Sequence, residues 1–239
     1  MTSKPLKDKV ALVTGASSGM GRAFAAALAK AGAAVLLVAR REEKLHEAVS
    51  EITAAGGEAA YHVADLTSAP ALYDLVDVLL ARYRMLHILV NNAGLGWQAP
   101  LPDLTRDQIT QMIETDLAAP IRLTQAALPA LLKNAPSDIV NIASIAGLQG
   151  FPGGSVYCAV KHGFVGFTRA LAEEVKPAGV RVTAICAGSV DTEFFDRFRP
   201  TRERPSMLHL EDAVRALLYV VTAPPRVLHG EIVLRPRVV

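Results

Sequence analysis

Only two cysteines, Cys158 and Cys186, occur among the 239 residues. Neither lies in a CxxC or a metal-ligand spacing, which excludes a disulfide framework and a cysteine-built metal site. They read as buried thiols in a reducing compartment. The histidines, such as His62 and His162, are scattered away from carboxylates, so no metal site is expected. Aromatic residues make up 5% of the chain against 51% apolar residues overall, which suits alternating helices and buried strands better than an aromatic-rich sandwich. Charge of one sign is also lacking: a net +2 without a concentrated basic face gives no footing for nucleic acid or an anionic membrane. The most apolar early region, Val10 to Ala39, is broken by glycines, Arg22 and Lys30 and makes a poor membrane span. The leading MTSKPLKDK has no apolar core of a signal peptide. The expectation is a soluble, cytoplasmic protein whose residues 1–239 form one domain with a large core.

Short apolar runs alternate with helical patterns along the chain. KVALVTG, AAVLLVAR, EAAYHVADL, LHILVNNAG, SDIVNIAS, GVRVTAICAG and GEIVLRP read as strands. MGRAFAAALAKAG, closed by Gly32, and REEKLHEAVSEITAAGG read as helices. So do SAPALYDLVDVLLARYR, with Pro70 in its first turn, a long stretch from about Thr105 to Lys133, the segment around Tyr157, and LEDAVRALLYVVTA. Residues 191–209 read as irregular. Strands apolar along their whole length belong to a parallel sheet covered on both faces. Right-handed crossovers then give an α/β, doubly wound sheet of about seven strands in a single domain.

Between the first strand and first helix lies TGASSGMG. Gly15, Gly19 and Gly21 permit a tight turn and close approach to a pyrophosphate, and the helix start offers free N–H groups. Ser17, Ser18 and Met20 complete the candidate phosphate-binding set of this Rossmann-type turn. The second strand ends LLVARREEK. An acidic residue is common there when NAD is bound; here Arg40 and Arg41 stand instead, and a guanidinium fits a 2′-phosphate. NADP(H) is therefore expected over NAD(H), with Arg40 the favoured contact and Arg41 equally consistent with the start of a solvated helix.

SVYCAVKHGF places Tyr157 and Lys161 at i and i+4, on one helix face. A free phenol ionises near 10, and an adjacent ammonium favours its ionised form, so Lys161 is expected to make Tyr157 a usable acid or base.

With these segments in order, the chain resembles the short-chain dehydrogenase/reductase (SDR) family. The matching pieces are TGASSGMG, ADL at 64–66, NNAG at 91–94, NIAS ending at Ser144, YCAVK at 157–161 and AGSVDT ending at Thr192, and they span nearly the whole chain. The resemblance implies that Asp65 and Leu66 hold the adenine. It implies that Asn91, Ala93 and Gly94 line the cofactor, and that Val190 and Thr192 hold the nicotinamide carboxamide. Ser144, Tyr157 and Lys161 would be the catalytic trio, with Lys161 also on the nicotinamide ribose. Two departures stand out. Asp116 occupies the place of an Asn that completes the family's tetrad, shaping a helical kink and helping to hold a water beside the lysine. Ala187 stands where the family often has proline. The resemblance also implies a homodimer or homotetramer.

The expected reaction interconverts a carbonyl and a secondary alcohol of a small molecule. Ser144 polarises the oxygen, Tyr157 exchanges its proton and the cofactor moves the hydride. Trp97, Gln149, Phe151, Phe194, Phe195 and Phe198 are candidates for the substrate wall, suiting a hydrophobic ketone or alcohol. The segment EFFDRFRPTRERPSML carries Arg197, Arg199, Arg202 and Arg204. It reads equally as a mobile lid that attracts an anionic substrate or as a solvated loop with its aromatics tucked in. Two rivals share the fold: a non-enzymatic cofactor-binding sensor and an NAD-dependent alcohol dehydrogenase.

Overall fold

A computed structural model describes residues 4–198 and 207–237. The strands are β1 (Val10–Thr14), β2 (Ala34–Ala39), β3 (Glu58–Val63), β4 (Ile88–Asn91), β5 (Ser137–Ile142), β6 (Val180–Ala187) and β7 (Glu231–Leu234). They form one sheet in the order β3-β2-β1-β4-β5-β6-β7, parallel throughout. The helices are α1 (Gly19–Lys30), α2 (Glu42–Ala54), α3 (Ala69–Tyr83), α4 (Arg106–Ile113), α5 (Ala119–Lys133), α6 (Ser155–Val175), α7 (Phe194–Phe198) and α8 (Leu210–Val221).

The period of two along the strands builds two cores. Ala11 and Val13 of β1, Val35 and Leu37 of β2, and Ile88 and Val90 of β4 face Phe24, Leu28, Leu45, Ile52 and Leu217 of α1, α2 and α8. The alternate residues Leu12, Leu36, Val38, Leu89 and Ile139 face Leu72, Leu75, Leu79, Leu123, Leu131 and Leu171 of α3, α5 and α6. Burial on both faces accounts for strands that are apolar without interruption. Among the described residues no helix is long and apolar enough to cross a membrane.

One buried ion pair ties the far end of the sheet. Asp138 of β5 and Arg181 of β6 are register partners, and the guanidinium donates twice to the carboxylate, at 2.7 and 2.9 Å. Its remaining Nη1 donates to the carbonyls of Ala223, Pro224 and Val227 beyond α8.

Two elements differ from the sequence expectation. The long helical stretch carries a π-turn, Glu114–Ala118, between α4 and α5. Pro120 has no N–H for the carbonyl of Asp116 four residues back, and the Ala119 N–H reaches Glu114, five residues back. The segment after β6, expected to be irregular, holds the short helix α7.

The sheet order reverses between β1 and β4. Their C-terminal ends open the crevice in which such sheets bind ligands, and the glycine turn and the Asn91–Gly94 segment both emerge there.

Candidate active site

The turn after β1 needs its glycines. Gly15 and Gly19 have φ of +64° and +52°, the left-handed region that side chains disfavour. Gly21 is required by space: a Cβ there would lie 2.3 Å from the Gly15 carbonyl oxygen and 2.5 Å from Asn92 Nδ2. That crowding comes from Asn92, which sequence reasoning passed over. Its amide donates to the Thr14 carbonyl at 2.9 Å, and its backbone N–H donates to Thr14 Oγ1. Thr14 and Asn92 thereby lock the end of β4 onto the glycine turn. The second Asn of NNAG was the available signal.

Arg41 lies across this turn. It donates to Ser17 Oγ at 3.1 Å and Ser18 Oγ at 2.6 Å, and its other nitrogen lies 3.7 Å from a carboxylate oxygen of Glu193, just before α7. Met20 packs inward against the core. Arg40 is exposed and sits near Asp65, whose carboxyl is held low chiefly by the Thr67 backbone N–H and hydroxyl, with the Arg40 charge adding a smaller pull. Arg41, the weaker candidate from sequence, is thus the arginine placed on Ser17 and Ser18 of the glycine turn.

Leu66, Asn91 and Ala93 line one small cavity with Thr14, Thr115 and Leu123. The Asn91 side chain is turned into the sheet, donating to Thr124 Oγ1 and Asn141 Oδ1; Asn141 in turn donates to Thr168 on α6. Val190 is buried and bridges to Leu208. A Cβ on Gly19 would lie 3.4 Å from Thr192, so the chain leaving β6 rests on the glycine turn.

Ser144 lies two residues beyond β5 and caps the next turn, its Oγ accepting from the Ala146 N–H at 3.1 Å. Gly147 brings that turn onto α6, since a Cβ would meet the Lys161 carbonyl oxygen at 2.7 Å. This close approach sets Ser144 near Tyr157, where its hydroxyl favours the ionised phenol. Tyr157 and Lys161 are 7% and 5% exposed, so they are no surface pair. Lys161 Nζ lies 5.7 Å from the Tyr157 ring centroid and 2.9 Å from Asp116 Oδ2.

Lys161 pulls the Tyr157 phenol down, as its place one helical turn away leads one to expect, but burial outweighs that pull. Burial pushes the phenol above its ordinary value; Lys161 and the Ser144 hydroxyl pull it down, and the Asp116 charge adds to the rise. Lys161 is held above the usual lysine value because Asp116 and Tyr157 outweigh its burial. Burial lifts the Asp116 carboxyl, against the pull of Lys161 and the Leu95 N–H.

The surroundings of the Tyr157 ring are aromatic. Phe198 lies 4.8 Å, centroid to centroid, from Tyr157, with Phe194 at 6.1 Å. Phe151 and Phe195 meet Phe198 edge-on, and Trp97 packs against the same cluster. Gly96 forms its floor: a Cβ would come within about 3 Å of both the Phe198 and Tyr157 rings. Gln149 is turned aside, accepting from Arg235 at 3.1 Å. Arg199, Arg202 and Arg204 lie outside the described residues, as does the side chain of Arg197. Both cysteines are buried, and burial pushes the Cys186 thiol up to about 11, the state of an inert thiol.

Three findings place this geometry among known proteins. The family model for short chain dehydrogenase matches residues 9–203. The chain is 39% identical to the uncharacterized oxidoreductase YxjF of Bacillus subtilis over 79% of its own length and 73% of the relative's. Among solved structures, a metagenomic short-chain oxidoreductase in complex with NADP superposes with a TM-score of 0.86 at 33% identity, covering 98% of this chain and 99% of that one. A variant of the actinorhodin polyketide ketoreductase with NADPH gives a TM-score of 0.88 at 30% identity, covering 99% and 98%.

Proposed function

The chain belongs to the short-chain dehydrogenase family, and we propose that it is an NADP(H)-dependent oxidoreductase interconverting a carbonyl and a secondary alcohol, with Tyr157 as acid and base. The observation that carries this reading is half-buried Ser144 with buried Tyr157 and Lys161 beyond the C-terminal ends of the strands, together with a glycine turn in which a Cβ at Gly15 or Gly21 would clash.

The residues present fit a nicotinamide dinucleotide. The turn after β1 is a cradle that a Cβ at Gly21 would fill, and Arg41 brings a cation onto the two serines at its lip. When bound, the cofactor supplies or accepts the hydride. The chain does the rest. The Ser144 hydroxyl donates to the substrate oxygen and stabilises charge developing there. Tyr157 gives that oxygen its proton in reduction and removes it in oxidation. Lys161 holds positive charge beside the phenol. The surrounding phenylalanines exclude water and favour an apolar substrate. A panel of apolar ketones and alcohols, assayed by cofactor absorbance with both nicotinamides, tests the reading. Turnover with NADPH is the expected result, and inactivity across the panel despite NADPH binding would leave a cofactor-binding sensor.

The cofactor preference has its own test. Arg41→Ala is expected to reduce the NADPH-over-NADH preference in kcat/KM by about tenfold, the value of one charge-assisted hydrogen bond to a phosphate. Most of the loss should fall on the NADPH KM. An unchanged ratio returns the role to Arg40.

A further inference from the structure

We propose that Asp116 is a positioning residue acting through Lys161: by pairing with the ammonium it keeps Tyr157 in its proton-donating form through neutral pH. The site then meets a carbonyl with its proton already in place, and serves the alcohol only as the solution turns alkaline. This deepens the carbonyl–alcohol reading above and rests on it.

The carboxylate is clamped. Asp116 is 1% exposed, its Oδ1 accepts from the Leu95 N–H at 2.8 Å and its Oδ2 lies 2.9 Å from Lys161 Nζ. Gly94 leaves the space it occupies, since a Cβ at 94 would stand 2.8 Å from Oδ2. The π-turn carries the residue, where the missing N–H of Pro120 loosens the α register. An Asn in this place would leave the ammonium without a counter-charge.

Charge counting gives the consequence. With Asp116 and Lys161 both ionised and Tyr157 a phenol, the group is neutral. Ionising the phenol then adds a lone negative charge to a dry site, which is costly. Without the carboxylate, the same ionisation would turn a lone ammonium into a neutral pair. The other groups that face the phenol cannot offset this. Cys158 on α6 is a neighbouring thiol that raises it further, and Ser144 after β5 is a neutral donor. Cys186 on β6 bears on Lys161 as a thiol, and α7 meets the phenol with Phe194 and Phe198. The overall carbonyl–alcohol equilibrium belongs to substrate and cofactor. The pair sets only the pH range in which each direction is served.

The test uses two readouts. Phenolate ultraviolet absorbance is titrated in the cofactor-free protein and in Asp116→Asn, each corrected by its Tyr157→Phe counterpart; kcat/KM is then followed against pH in both directions. Asp116→Asn retains an oxygen for the Leu95 N–H, and Asp116→Ala serves should the amide misfold. The phenolate midpoint is expected to move acidward by about one pH unit or more, as removal of an adjacent like charge does. The alkaline limb for reduction and the acid limb for oxidation should move with it. Glu114→Gln, on the same turn but paired outward with Arg122, should leave the midpoint in place. A midpoint that stays or moves alkaline, or one that Glu114→Gln moves as far, overturns the proposal. A phenolate shift with unmoved rate profiles instead overturns Tyr157 as the acid and base, so the two failures are distinguishable.

Discussion

Tyr157→Phe is expected to lower turnover about a thousandfold, within the range general acid–base catalysis contributes. The substitution removes one oxygen and keeps the ring, so the contacts with Phe194 and Phe198 survive. The lost hydroxyl lies near Ser144, which is half-buried and can turn to water. Thermal unfolding and NADPH binding should therefore match the parent protein. That combination separates a chemical role from a structural one. The check is single-turnover hydride transfer on the best panel substrate, with binding measured independently. Retention of more than a tenth of the rate would remove the phenol from the mechanism. Ser144→Ala should cost less, about a hundredfold, because it withdraws one donor to the developing charge and leaves the proton source.

Arg181→Ala is expected to destabilise the fold by about 3–5 kcal/mol, as breaking one side of a buried ion pair does. For a chain of this length the unfolding temperature falls on the order of 10 °C. Arg181 and Asp138 are 12% and 8% exposed in their side chains, so the remaining carboxylate would be stranded between β5 and β6. The carbonyls of Ala223, Pro224 and Val227 would lose their donor as well. Burial already lifts the Asp138 carboxyl, with Arg181 opposing. Without the guanidinium, the folded state holds the proton more tightly than the unfolded chain does, so stability is regained as pH falls. The deficit should accordingly be largest near neutrality and narrow in acid. Calorimetry across that range decides it, and a pH-independent deficit would point to lost packing alone. The double variant Arg181→Met with Asp138→Asn should be less damaged than Arg181→Ala, since no unpaired charge remains.

The sheet was legible because each strand is apolar on both faces and each crossover helix on one. Val10–Thr14, Ala34–Ala39 and Ile88–Asn91 could be read from their apolar runs alone. The glycine turn, Ser144, Tyr157 and Lys161 were legible for a related reason, since close backbone approach and a shared helix face leave marks at fixed spacing. What escaped was set by side chains meeting across the fold. Arg40 and Arg41 are adjacent in sequence, and only the rotation of the chain after β2 lays Arg41 on Ser17 and Ser18. The π-turn looks like any helical run until Pro120 is placed against Asp116. Asp116 itself could be singled out, but its pairing with Lys161 needed the fold, which sets the two 2.9 Å apart in dry surroundings.

The chain has a single tryptophan, Trp97, and it packs into the aromatic cluster around Tyr157. Indole fluorescence of the unlabelled protein therefore issues from one address, next to where chemistry is read to occur. Its emission colour and quenching become a private gauge of how wet that corner is, and each ring that shifts there will be seen as light.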